Sequence, residues 1–244
     1  MLMRLILATA ILCFCTQCQT RLSPAEQASL RSVRIMPGTM AAGARKDPSF
    51  LNPKTAEGIT SGTAVALGGA SGALAGAIIV QTSEAIARSR HRGEIQALRR
   101  IAPEETAAMV TRHLEEKLKS DPFFGPRLAS SDPSAQVQVE IKVQMLVPSR
   151  NQDGFHTPAI GGVLTLKSAS GKVLRRIGLG TNGVRVRGDQ RTSPDAAMPL
   201  KSYISDPALL RAHTDYTAER LAAAFALKLG QAVGTQGKKV TPDI

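Results

Sequence analysis

The chain contains a long uncharged stretch between Glu57 and Glu84, and this stretch limits the possible folds more than any other feature. Its glycines form two runs with a spacing of four residues, which places the members of each run on one face of a helix. These are Gly58 and Gly62, then Gly68, Gly72 and Gly76. Each glycine weakens a helix in water by about 1 kcal/mol, whereas small residues at this spacing let two membrane helices pack closely. We therefore predict that residues 58–83 contact a membrane or another helix. A helix buried against the protein's own domain and a flexible linker are the alternatives.

The first eighteen residues have the three parts of a secretion signal. Arg4 supplies a positive charge, residues 5–14 form an apolar run, and polar residues follow from Gln17 onward. A run of about ten residues is too short for a membrane-spanning helix, which needs about 20, but it suits a signal peptide. The sequence therefore predicts export.

All cysteines lie in this leader, at Cys13, Cys15 and Cys18. The rest of the chain therefore has no disulfide, thiolate metal site or cysteine nucleophile. Residues 1–20 resemble the leader of bacterial lipoproteins, in which a cysteine after the apolar run is lipidated and becomes the mature N-terminus. The resemblance implies lipidation of Cys18, although Cys15 at −3 and Gln17 at −1 depart from the usual motif. Cleavage near Cys18 without lipidation and an uncleaved anchor are the alternatives.

The glycine-rich segment is similar to the glycine-zipper stretches of several bacterial envelope proteins. The similarity implies close helix contact and names no single function. The predicted organisation has five parts. They are a signal peptide over 1–18, an exported segment over 19–57 with an edge strand at 32–36, the glycine zipper over 58–83, an α+β domain over 84–233 and a disordered tail over 234–244.

The residues after the zipper alternate between helical and extended patterns. Predicted helices cover 84–100 with a break near Gly93, 103–121, and a last helix that follows Asp206. Residues 137–145 alternate apolar and polar side chains as a strand with one buried face does, and residues 163–174 read as a β-hairpin. Residues 148–158 are predicted to form a loop. This order predicts an α+β fold with a small, mainly antiparallel sheet packed with helices.

The chain is strongly basic, with a net charge of +12, and many of its cations surround the predicted hairpin. The predicted anion-facing patch consists of Lys172, Arg175, Arg176, Arg185 and Arg187. Its alternative is a solvated face whose cations protect the edge of the sheet. Nucleic acid is not an expected partner, because the chain is predicted to be exported and has no Trp and only two Tyr to stack on bases. The expected partners are membrane lipid, a second copy of the chain or another envelope protein.

The sequence predicts no catalytic residue, metal site or cofactor. Residues 178–183 match the glycine spacing of a dinucleotide-binding loop, but the pattern that follows is extended and not helical. The histidines show no metal-ligand spacing and are predicted to lie at the surface or its boundary; they are His91, His113, His156 and His213.

The function predicted from these features is that of a non-enzymatic lipoprotein of the cell envelope. It is expected to be membrane-associated, at the outer membrane or facing the periplasm. The alternative is a single-span inner-membrane protein with a basic cytoplasmic domain, and a cell-wall-acting enzyme is the third candidate.

Overall fold

The computed structural model describes residues 21–45, 48–50, 81–128, 133–149, 154–181 and 197–235. Within these ranges the chain forms an α+β fold, with a six-stranded, mainly antiparallel sheet packed against helices, as the sequence predicts. The leader, the five zipper glycines and the tail after residue 235 lie outside the described residues, so their predictions stay predictions.

Two long antiparallel strands form the centre of the sheet, β3 (Ala135–Pro148) and β4 (Phe155–Ser168). β5 (Val173–Gly180) pairs with β4 and completes the predicted hairpin, whose turn includes Gly171 at a φ of 81°. That left-handed conformation favours glycine. β4 begins at Phe155, so the loop predicted over 148–158 is too long at its C-terminal end.

Two strands from the N-terminal segment lie on the other side of β3. β1 (Val33–Ile35) lies within the edge strand predicted at 32–36, and β2 (Thr39–Arg45) was not predicted. Both strands run parallel to β3. The short strand β6 (Met198–Pro199) pairs with the start of β4. The N-terminal segment is therefore part of the same sheet as the domain that follows the glycine zipper.

The helices follow the predicted order with shifted boundaries. The break in the first long helix lies at His91 and not at Gly93, because residues 81–90 are helical and the next helix starts at Arg92. The helices are α1 (Pro24–Ser29), α2 (Arg92–Ile101), α3 (Thr106–Lys119), α4 (Leu200–Ser205) and α5 (Pro207–Val233).

Both ends of α5 are set by their sequence. The Asp206 carboxylate accepts hydrogen bonds from the N–H groups of Ala208 and Leu209, which caps the first turn as predicted. Gly234 ends the helix in the left-handed conformation, at a φ of 84°. The Thr235 N–H then donates to the Gly230 carbonyl. The predicted disordered tail, 234–244, therefore begins two residues too early, since Gly234 and Thr235 belong to the end of α5.

The hydrophobic core lies between one face of the sheet and helices α3 and α5. Its central side chains have no exposed surface and come from α3, α5 and the sheet. They are Val110, Leu114 and Leu118 of α3, Val137, Val139, Ile141, Leu164 and Leu166 of the sheet, and Leu221, Phe225 and Leu229 of α5.

The buried face of β3 changes at a β-bulge. Ile141 pairs with Gly162 and Val143 pairs with Gly161, so Lys142 is an extra residue in β3. After the bulge the alternation is inverted, and Gln144 is buried while Val143 is half-buried. The prediction of one continuous buried face as far as Met145 is therefore wrong beyond Ile141.

Candidate anion-binding surface

Three of the five predicted patch residues belong to the described hairpin. Lys172 lies exposed in the turn, Arg176 lies exposed on β5, and Arg175 is half-buried. Arg185 and Arg187 lie outside the described residues, as do Cys18 and the zipper glycines. The three described patch residues thus lie within five positions of one another on the hairpin.

Strand register divides these cations between the two faces of the sheet. Arg176 pairs with Thr165, and Lys167 pairs with Val173, so Arg176 and Lys167 share the face opposite the core, which we call the open face. Arg175 pairs with Leu166, a core residue, and therefore lies on the face that the helices cover. The turn end of the hairpin therefore carries cations on both faces of the sheet, Arg176 and Lys167 on the open face and Arg175 on the other.

One carboxylate approaches this end of the sheet. Glu26 of α1 accepts hydrogen bonds from the N–H and the hydroxyl of Ser23, each at 2.9 Å. These hydrogen bonds hold the pKa of Glu26 below its usual value, and the charges of Lys172 and Arg175 act in the same direction. Glu26 is therefore ionised near the hairpin. The same carboxylate accepts the hydrogen bonds from Ser23 that cap α1.

A second carboxylate lies on the open face but is occupied as well. Glu140 of β3 pairs with Val163 of β4, and its carboxylate contacts Lys142 Nζ at 2.7 Å. The pair contributes no net charge to the open face. Glu26 offsets one of the four charges of Lys167, Lys172, Arg175 and Arg176, so a net positive field remains at this end of the sheet for an anionic partner.

The two flanks of the glycine-rich segment meet at one place. The Glu84 carboxylate accepts a hydrogen bond from the Phe50 N–H, with both oxygens 3.1 Å from the nitrogen. Arg88 Nε donates to the same carboxylate at 3.1 Å. The Phe50 ring stacks on His91 with the ring centroids 4.7 Å apart and the planes 10° from parallel. We call this set of interactions the flank contact.

A cavity of about 320 Å³ lies beside the flank contact. Its lining includes Phe50, His91, Glu94, His156 and Lys201, which come from separate segments of the chain. The His91 ring is hydrogen-bonded to the Glu94 carboxylate. Nothing in the sequence pattern predicted this cavity. Among the described residues, no group of three or more His, Cys, Asp or Glu side chains is placed to hold a metal ion.

Two histidines were predicted at the surface or boundary and are instead buried. His156 and His213 are each only 5 % exposed. Tyr203 connects them, because its hydroxyl donates to the His156 carbonyl at 3.2 Å and lies 3.0 Å from His213 Nδ1. Burial raises the pKa of Tyr203 and lowers the pKa of the His156 imidazole. Backbone groups of Gly154 and Ser49 near the His156 ring partly oppose that shift.

We expect acid to destabilise the fold through His156. Its pKa in the fold lies below its ordinary value of 6.5, so below about pH 6.5 the unfolded chain takes up a proton that the folded chain does not. The contribution to stability is complete above that pH and is lost as the pH falls toward the lower pKa of the folded state. His156→Phe preserves an aromatic ring beside Phe50 but cannot take up the proton. Its Tm should therefore fall less between about pH 7.5 and about pH 5 than that of the unaltered protein, and equal slopes would contradict the assignment.

No protein-family model matches this chain, and no curated protein or solved structure is significantly similar to it. In the part of the chain that the structure describes, no helix is both long enough and apolar enough to cross a membrane.

Proposed function

We propose that this chain is a non-enzymatic protein of the bacterial cell envelope, exported and lipidated at Cys18, which binds an anionic partner through its basic hairpin. The observation that carries the proposal is the position of Lys167, Lys172, Arg175 and Arg176 around one end of the sheet. Of the nearby carboxylates, Glu140 is paired with Lys142, and Glu26 offsets only one of these four charges. The anionic surfaces of the envelope are lipid headgroups and acidic proteins.

The flank contact supports this proposal over a single-span inner-membrane protein. A straight helix over residues 51–80 would be about 45 Å long, and the hydrocarbon core of a bilayer is about 30 Å thick. A single crossing would therefore place Phe50 and Glu84 on opposite sides of the membrane. Their hydrogen bond instead requires both flanks to lie on the same side.

Removal of the hairpin charges should weaken binding to anionic membranes. We expect the chain from residue 19 onward, which contains every described residue, to sediment with vesicles that contain phosphatidylglycerol and not with pure phosphatidylcholine vesicles. Each cation near an anionic surface contributes about 1 kcal/mol, so neutralising five should lower the affinity by roughly a thousandfold. Added salt should weaken the binding as well. The five substitutions to Gln are at Lys172, Arg175, Arg176, Arg185 and Arg187.

A matched control removes the same number of charges from the helices on the other side of the molecule. Its substitutions to Gln are at Arg112, Lys117, Lys119, Arg211 and Arg220. The control should keep most of the vesicle binding, because these cations belong to α3 and α5, which cover the core face of the sheet. An equal loss in both variants would show that only net charge matters and would contradict a role for the hairpin.

A further inference from the structure

Strand β5 is paired on one side only among the described strands. It forms antiparallel pairs with β4, and no described strand pairs with its other side, which we call the outer edge. The Thr181 N–H donates to the Ile160 carbonyl at 2.8 Å, which fixes the direction of the backbone at the end of β5.

The direction of the backbone groups alternates along an antiparallel strand. Since Thr181 faces β4, the N–H and C=O groups two, four and six residues before it also face β4. The groups of the intervening residues point to the outer edge. These residues are Arg176, Gly178 and Gly180.

Side chains do not block this edge at its glycines. Among the described residues, a Cβ atom placed on Gly178 would meet no atom within 4 Å, and one on Gly180 would meet only backbone, at 3.7 Å or more. Ile177 and Leu179, the neighbours of Gly178 in the chain, are half-buried against the core. Folded proteins usually protect an exposed edge with Pro, Lys, a bulge or a very short strand. The bulge of this hairpin lies at its other end, between Leu166 and Lys167 of β4, so the residues from Ile177 to Gly180 lack these protections.

We propose that the outer edge of β5 binds an extended, acidic segment of a partner protein as an added strand. This inference rests on the proposed function and specifies its partner. Strand addition supplies backbone hydrogen bonds to Arg176, Gly178 and Gly180, and alternate side chains of the added strand supply specificity. Acidic residues of the segment lie beside Arg176 on the open face, and the apolar residues between them pack beside Ile177 and Leu179.

Charge favours this occupant over the two that the chain itself offers. A second copy of β5 would add two more arginines and no carboxylate to the interface, because β5 contains Arg175 and Arg176 and no acidic residue. The residues that follow β5 in the chain are also basic, with Arg185, Arg187 and Arg191. Like charges on neighbouring strands are destabilising, whereas glutamate or aspartate beside Arg176 is stabilising.

Amide hydrogen exchange measured by NMR tests the proposal directly. In the free chain from residue 19 onward, the amides of Arg176, Gly178 and Gly180 should exchange fast, while those of Ile177 and Leu179 are protected by β4. A synthetic peptide of alternating Val and Glu should slow the three outward amides by about tenfold or more. A peptide of alternating Val and Lys should leave them unchanged. Slow exchange of these amides in the free protein would overturn the proposal, because the edge would already be covered by the chain itself or by a second copy.

A substitution at Gly178 separates strand addition from charge alone. Gly178→Pro removes an N–H that points outward, so the pairing with β4 is preserved and the added strand is blocked. Gly178→Ala keeps the N–H and places its methyl group in open space, so it serves as the control. We expect the Pro variant to lose peptide binding by about tenfold or more and to keep its binding to anionic vesicles. If the Pro variant binds the peptide as well as the unaltered chain does, strand addition is wrong. The vesicle binding of the hairpin-charge variant tests the proposed function alone, so the two proposals can fail independently. If the Pro variant does not fold, the exchange pattern of the unaltered chain still decides the question.

Discussion

Phe225→Ala should destabilise the fold by about 3–5 kcal/mol, because it removes a large, fully buried side chain and leaves a cavity that its neighbours cannot fill. Phe225 has no exposed surface and is among the largest buried side chains of the described core. It lies on α5, which packs against both the sheet and α3. A loss of this size is a large part of the free energy of unfolding of a typical domain, about 5–15 kcal/mol. Urea unfolding followed by circular dichroism measures it.

The matched control is on the same helix, two residues away. Ala223 is exposed, so Ala223→Ser should change the free energy of unfolding by less than about 0.5 kcal/mol. A Phe225→Ala loss below about 1 kcal/mol would contradict the packing of α5 on the sheet. The result also bears on the hairpin, because α5 contacts both β4 and β5 and so supports the strands that carry the basic residues.

The elements that the sequence predicted well are those whose signals are local. α5 combines an acidic cap at Asp206 with an apolar stripe, and both features lie within the segment that they define. The hairpin was predicted from two apolar runs separated by a short turn around Gly171. The α+β class follows from the order of such elements and needs no knowledge of long-range contacts.

The elements that were missed depend on contacts between distant residues. β2 reads Thr39-Met-Ala-Ala-Gly-Ala-Arg45, which has neither β-branched residues in its centre nor alternation. It becomes a strand because β3 offers it a parallel partner. The sequence of β3 contains no residue pattern that predicts the bulge at Lys142. The bulge is visible only in the pairing with β4, where Ile141 faces Gly162 and Val143 faces Gly161. One extra residue inverts every later position, which explains why Gln144 is buried.

The candidate sites divide in the same way. The basic hairpin is contiguous in sequence, so its cations could be recognised before their faces were known. The cavity beside the flank contact is assembled from Phe50, His91, His156 and Lys201, which are far apart in the chain. His156 is one of four isolated histidines by sequence, and its burial arises because β4 begins earlier than its pattern indicates.

Cys18→Ser should abolish acylation completely, which is the largest functional effect that we predict. Lipid attachment to a lipoprotein leader requires the thiol sulfur, and a serine hydroxyl does not replace it as a nucleophile at neutral pH. No cysteine occurs after position 18, so no other residue of the mature chain can take its place. Labelled palmitate should therefore enter the unaltered protein and not the variant. The variant should also accumulate with its leader attached, and the mass of the intact protein measures both changes.

Cys13→Ser is the control for Cys18→Ser, because it removes a thiol from the same leader while leaving residues 15–18 unchanged. The control should be processed and acylated like the unaltered protein. Two acyl chains anchor a protein to a membrane far more firmly than one, since each buried methylene contributes about 0.8 kcal/mol. The lipid would thus hold the hairpin at a membrane whose anionic headgroups it can contact. Acylation that persists in Cys18→Ser, or an unmodified N-terminus in the unaltered mature protein, would contradict the lipid anchor. Binding of the hairpin to anionic vesicles would then stand as a separate property of the exported chain.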